Sequence, residues 1–101
     1  MPVSVQRGDE TITVSTTAIG LTAAELVEAV HSAIIYVESG ANIRFNATQD
    51  PTAAGTEGSP LVYVGGRIYV SGGRDLASVK FISATGADAV IRVLYFGDGR
   101  S

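Results

Sequence analysis

The stretch "LVYVGGRIYVSGG", residues 61–73, decides the fold class. Two short runs rich in β-branched and aromatic residues flank Gly65-Gly66, a dipeptide suited to tight chain reversal, and the segment predicts a β-hairpin. The second pair, Gly72-Gly73, reads as another turn of the same kind.

Outward from that segment the same texture repeats. Residues 76–96, "LASVKFISATGADAVIRVLYF", predict strands around Val79 and Phe81 and from Val90 to Phe96, with "ATGAD" as the turn between them. Upstream, "TITVSTT" (residues 11–17) alternates hydroxylated residues with Ile12 and Val14, the period of a strand buried on one face. Residues 31–39, "HSAIIYVES", are β-rich through Ile34, Ile35, Tyr36 and Val37; Gly40 interrupts them before "NIRFN" resumes, giving two strands or one bent strand. Between these runs, "GLTAAELVEAV" carries Thr22 and Glu25 at capping-box spacing, and a short helix is expected near residues 22–29.

Strands dominate, turn signals recur at intervals of about eight to twelve residues, and no βαβ alternation is sustained. The expected architecture is all-β: a single-domain antiparallel β-sandwich, jelly-roll-like, with at most that one short helix. In 101 residues there is room for one such domain. Its expected extent is residues 11–101, preceded by an N-terminal arm, residues 1–10, in which Val3 and Val5 alternate before the polar "RGDE". Such an arm frays or adds to a neighbouring sheet edge, so its removal is expected to leave the domain folded.

Composition narrows the function classes. The chain is 46% hydrophobic and 17% charged, which argues against global disorder and for surface covered by another chain. Seven Lys and Arg against ten Asp and Glu give a charge of -3 without a basic cluster, so no nucleic-acid partner is expected. No apolar run approaches membrane-spanning length, and the first residues lack a signal-peptide layout; no membrane partner is expected, and synthesis in the cytosol is. Cysteine is absent, which removes disulfides, thiolate metal sites and Cys nucleophiles.

The remaining chemistry is sparse. His31 is the only histidine, stands beside Ser32 without a G-x-S-x-G motif, and reads as structural or exposed. Asp9, Glu10, Asp50, Glu57, Asp75, Asp88 and Asp98 fall mostly beside turn residues, where Asp serves local backbone hydrogen bonds. Gly97-Asp98-Gly99 lacks the further oxygen ligands of a calcium loop, and the glycine pairs lack the Gly-Lys-Ser/Thr ending of a phosphate loop. Tyr36, Tyr63, Tyr69 and Tyr95 read as cross-strand packing rather than a sugar-stacking platform. No catalytic residue, cofactor or metal ligand is therefore expected. The loop after "NIRFN" opens with Asp50-Pro51-Thr52, a turn start, and presents Asp50 and Glu57 as its only acids; it reads as a shaped surface.

The series "AIIYVESGANIRF", "DPTAAG", "LVYVGGRIYVSG" and "LASVKFISATGADAVIRVLYF" resembles small β-sandwich virion proteins of tailed bacteriophages, over about residues 31–96. That group carries an I-R-F strand, a D-G-T-x-P-T-A loop, a hairpin, an F-[RK]-[FA]-I strand and a final V-x-Y strand. Ile43, Arg44 and Phe45 match the first element; Pro51, Thr52, Ala53 and Gly55 the loop; Lys80, Phe81 and Ile82 the next strand; Val93 and Tyr95 the last. Thr48, Gln49 and Asp50 stand where the group has Asp-Gly-Thr. The resemblance implies a non-enzymatic capsid decoration (cement) protein or other head or tail accessory protein, located on the virion surface. Its implied partners are the major capsid protein or another virion protein and further copies of itself, as a trimer or dimer. Val3, Val5 and Arg7 of the arm and Asn46, Gln49, Asp50, Thr52 and Glu57 of the loop are the expected interface. The alternative is a carbohydrate- or receptor-binding sandwich module of a phage tail or fibre.

Overall fold

The computed structural model describes residues 4–22 and 30–98. Val3, and most of the segment where a helix near residues 22–29 was expected, lie outside the described residues. In chain order the elements are β1 (Ser4–Val14), β2 (Ile19–Gly20), β3 (Val30–Ser39), β4 (Ile43–Asn46), β5 (Leu61–Val62), β6 (Arg67–Ser71), α1 (Gly73–Ser78), β7 (Lys80–Ser83) and β8 (Ala89–Asp98).

Two four-stranded sheets form, ordered β1-β8-β3-β6 and β2-β7-β4-β5, and every pairing is antiparallel. The chain therefore changes sheet at nearly every connection, and only β4 and β5 are consecutive strands of one sheet. This is the eight-stranded jelly roll, an all-β sandwich as the turn-rich sequence predicts.

The core lies between the inner faces. Ile12 and Val14 of β1, Ala33, Ile35 and Val37 of β3, Ile68 and Val70 of β6, and Ala89, Ile91, Val93 and Tyr95 of β8 are buried at alternate positions. Ile43 and Phe81 face them from the second sheet. Each Val, Ile or Phe side chain among them gains roughly 1.5 to 3 kcal/mol by leaving water, which is why the two-residue period fixes the register.

Sheet assignment departs from the hairpin expectation. Gly66 N–H donates to the Tyr63 carbonyl at 2.8 Å and closes the expected turn. Yet β5 pairs with β4 and β6 pairs with β3, so the turn is an arch between sheets rather than a hairpin. A two-residue β5 is too short to hold a ladder with β6, whereas β3 offers β6 five register partners and a place for Ile68 and Val70 in the core. The "ATGAD" turn is a second arch, from β7 in one sheet to β8 in the other. Gly72-Gly73 is not a hairpin turn either: it opens α1, whose Leu76 is buried in the core.

The crossings bond to one another at one end of the sandwich. Ser83 N–H donates to the Ser15 carbonyl (2.8 Å), Ala84 N–H to the Asn42 carbonyl (2.9 Å), and Val64 N–H to Asn42 Oδ1 (2.9 Å). The β4–β5 loop and α1 consequently occupy the opposite end.

Residues 4–10, the greater part of the expected arm, run as the first part of β1 in register with β8, with a bulge between Gln6 and Gly8. Glu10 joins β1 to β8 and to the segment after β2: it accepts hydrogen bonds from the Tyr95 hydroxyl of β8 and from Thr22 N–H (3.2 Å) and hydroxyl. Removing residues 1–10 therefore strips ladder bonds from the domain as well as shortening its terminus.

Candidate functional site: the loop from residue 47 to residue 60

On β4, Ile43 is fully buried toward the core, which turns Arg44 and Asn46 to the outside of the second sheet. On β7, Phe81 points inward, so Lys80 and Ile82 share that outer face; Ile82 pairs with Arg44, and Lys80 with Asn46. Ile82 is nevertheless only 8% exposed, because the 47–60 loop folds back over this face.

Arg44 fastens the loop at two points. Its Nε donates to the Ala53 carbonyl at 3.0 Å and its Nη1 to the Ser59 carbonyl at 2.9 Å. Asn46 Nδ2 donates to Ser59 Oγ at 3.1 Å, and its Oδ1 accepts from Thr48 N–H at 2.9 Å. Lys80 pairs with Asp50 at 3.1 Å, while Pro51 and Ser59 are buried.

Glu57 closes the loop on itself. Its carboxylate accepts from Thr52 N–H (3.0 Å), the Thr52 hydroxyl and the Ser59 hydroxyl, and its own carbonyl accepts from Gln49 Nε2 at 3.2 Å. These donors, Ser59 foremost and then Thr52, favour the ionised form and lower its pKa from 4.5 to about 2. A carboxylate held so far below neutrality is a weak base, and the nearby hydroxyls spend their protons on it. The arrangement is suited to holding a shape rather than to proton transfer.

The structure divides the expected interface residues into two groups. Asn46 at the end of β4 and Gln49, Asp50, Thr52 and Glu57 of the loop gather here, but all five use polar atoms on the loop or on the strands beneath it. Val5 and Arg7 are exposed on β1 of the other sheet. Sequence reading missed Arg44 and Ser59 as the residues that tie strand to loop. The available signal was an arginine at an outward strand position ahead of a loop rich in small residues, which offers many carbonyls to a five-donor side chain. Exposed at the loop surface are Thr48, Gln49, Asp50, Thr52, Ala54, Thr56, Gly58 and Pro60.

His31 is exposed on β3 of the first sheet, and its carbonyl accepts from Gly72 N–H at 2.8 Å. Among the described residues, no three His, Asp or Glu side chains gather as metal ligands, and no helix is long and apolar enough to cross a membrane. Tyr95 is buried and Tyr36 half-buried, whereas Tyr63 and Tyr69 are each 66% exposed.

The fold is an eight-stranded jelly roll with a loop pinned to the outer face of the second sheet. Comparison with protein-family models, with curated proteins and with solved structures gives no match.

Proposed function

We propose that the chain is a non-enzymatic virion structural protein of a tailed bacteriophage, a capsid decoration protein. In this role it binds the major capsid protein and neighbouring copies through surface loops. The observation that carries the reading is the bond from Arg44 to the Ala53 carbonyl. It joins the I-R-F strand to the P-T-A loop, two separate elements of the sequence resemblance, into one unit that presents a fixed outer surface. A loop ordered before binding loses little conformational entropy on docking, which suits a protein that must occupy many equivalent sites on a particle. The low charge of the chain and its sheet architecture support the same role.

Ala54 and Thr56 are exposed in the loop. Ala54→Arg and Thr56→Arg should lower occupancy of purified particles, measured by quantitative mass spectrometry, while the melting temperature of the free protein stays the same. Particles that never contain the chain, or that contain both variants at the wild-type level, would refute this reading.

The exposure of Tyr63 and Tyr69 favours a second reading, a carbohydrate- or receptor-binding module of a tail or fibre. A glycan array probed with wild-type protein and with Tyr63→Ala and Tyr69→Ala separates the two: binding lost in the variants selects the second.

A further inference from the structure

The edges of the two sheets are unequal. β2 and β5 are two residues long and β6 five, whereas β1 runs for eleven. An edge strand offers a row of main-chain donors and acceptors to any extended chain that meets it, and short length, bulges, proline and lysine are the usual means of blunting it. β1 carries its bulge between Gln6 and Gly8, and past Val14 the chain leaves the sheet, where the Ser15 carbonyl accepts from Ser83 N–H. Between those limits residues 8–14 hold an unbroken register with β8 and contain neither proline nor lysine. Among the described residues, no main-chain group outside β8 bonds to this segment, and Gln6 Nε2 reaches the Gly8 carbonyl only at 3.5 Å. The Glu10 carboxylate is held inside the sandwich by Tyr95 and Thr22, so its charge does not face an incoming strand.

We infer that this edge pairs with β1 of a second copy, antiparallel about a two-fold axis at Thr11, so that the two first sheets join into one. Opposed residues of an antiparallel pair point to the same side of the sheet, so the axis must pass at a residue rather than between two. At Thr11 it sets Gly8 opposite the partner's Val14, Asp9 opposite the partner's Thr13 and Glu10 opposite the partner's Ile12. The whole bulge-free segment is then used, and no like charges face each other. An axis at Asp9 or at Glu10 sets that carboxylate against its own copy. An axis at Gly8 brings Arg7 opposite Asp9, an attractive pair, but drives the ladder through the bulge. An axis at Ile12 or Thr13 shortens the ladder. Charge and bulge position together therefore select Thr11, where a Thr–Thr pair lies on the axis and each residue pair contributes on average about one main-chain hydrogen bond.

The pairing uses none of the 47–60 loop, so it is tested apart from the virion reading. Sedimentation equilibrium of the full chain is expected to show a dimer. Thr11→Glu places two carboxylates together on the axis and should raise the dissociation constant about tenfold. Thr13→Arg sets a guanidinium opposite Asp9 twice in each dimer and should lower it about fivefold. Both threonines are exposed, so the melting temperature of dilute protein should stay the same in each variant. Amide exchange within residues 8–14 should slow as concentration rises, a signature that association through another surface lacks. A chain that stays monomeric at about 1 mM overturns the proposal. So does a trimer or larger assembly, a dissociation constant indifferent to both substitutions, or a dimer whose amides in residues 8–14 exchange at the dilute rate.

Discussion

The Arg44 guanidinium occupies the space that a Cβ on Gly55 would need: an atom built there lies 2.5 Å from Arg44 Nη1 and 2.6 Å from Cζ. Gly55 also has φ of 69°, a left-handed conformation that costs a residue with a side chain about 1 kcal/mol. Gly55→Ala is therefore expected to destabilise the protein by roughly 1 to 3 kcal/mol, the clash adding to the backbone cost. Arg44→Ala removes the obstacle along with two hydrogen bonds, so the two substitutions together should cost less than the sum of their separate effects. Urea denaturation of the four-member cycle measures that coupling, and strict additivity would show that the guanidinium and the glycine do not share the space.

Glu57 gives the loop a pH dependence whose direction follows from its donors. Its folded pKa is depressed from 4.5 to about 2, so the native state holds the ionised form while the unfolded chain takes up a proton first. The contribution is present in full above the unfolded value and is lost as pH falls from about 4.5 toward about 2. Glu57→Gln should thus lower the melting temperature at pH 7, and the gap between wild type and variant should shrink over that acid interval. A gap that stays constant across the titration would mean that Glu57 ionises alike in both states.

The strand content was legible in the sequence because alternation is a local signal. Ile12 and Val14 in "TITVSTT", and the run ending in Val93 and Tyr95, name their buried faces without reference to any other segment. The sheet to which each strand belongs was not legible. Gly65-Gly66 reports that the chain turns, but a hairpin and an arch between sheets place the same demand on those two residues, and the choice is made by β3, more than twenty residues upstream. Likewise the six residues of α1 carry too short a pattern to announce a helix; Leu76 earns its place only once the core exists. In the loop, the turn expected to start at Asp50-Pro51-Thr52 closes instead from Thr52 to Gly55, Asp50 pairs with Lys80, and Thr52 N–H donates to Glu57, partners that lie too far along the chain for the local pattern to name.

Gly40 is the tightest point among the sheet crossings. Its φ is 94°, and a Cβ there would lie 2.2 Å from the Asp88 carbonyl oxygen, a backbone atom of another crossing that cannot swing aside. Gly40→Ala must separate the β3–β4 and β7–β8 crossings, whereas at Gly65, also in a crossing, the added atom meets nothing within 4 Å. Thermal melts should show Gly40→Ala losing several kcal/mol or failing to fold, and Gly65→Ala losing about 1 to 2 kcal/mol from backbone strain alone. Equal losses would place the sensitivity in backbone conformation rather than in the contact between crossings.

At the opposite end, the Tyr95 hydroxyl donates to Glu10 from a ring that is fully buried. Glu10 pairs with Val93 across the β1–β8 ladder and also holds Thr22, two residues beyond β2, so this carboxylate ties the phenol to β1 and to the segment that follows β2. Tyr95→Phe keeps the ring and leaves Glu10 its two bonds from Thr22; the expected cost is about 1 to 2 kcal/mol. Glu10→Ala removes the acceptor of all three hydrogen bonds, from Tyr95 and from Thr22 N–H and hydroxyl, and should cost more, in the range of about 2 to 3 kcal/mol. Amide hydrogen exchange at the β1–β8 ladder distinguishes this bond from a merely local contact: faster exchange from Ile12 back to Asp9 in both variants is the expected result, and unchanged protection there would show that β1 is held by its ladder alone.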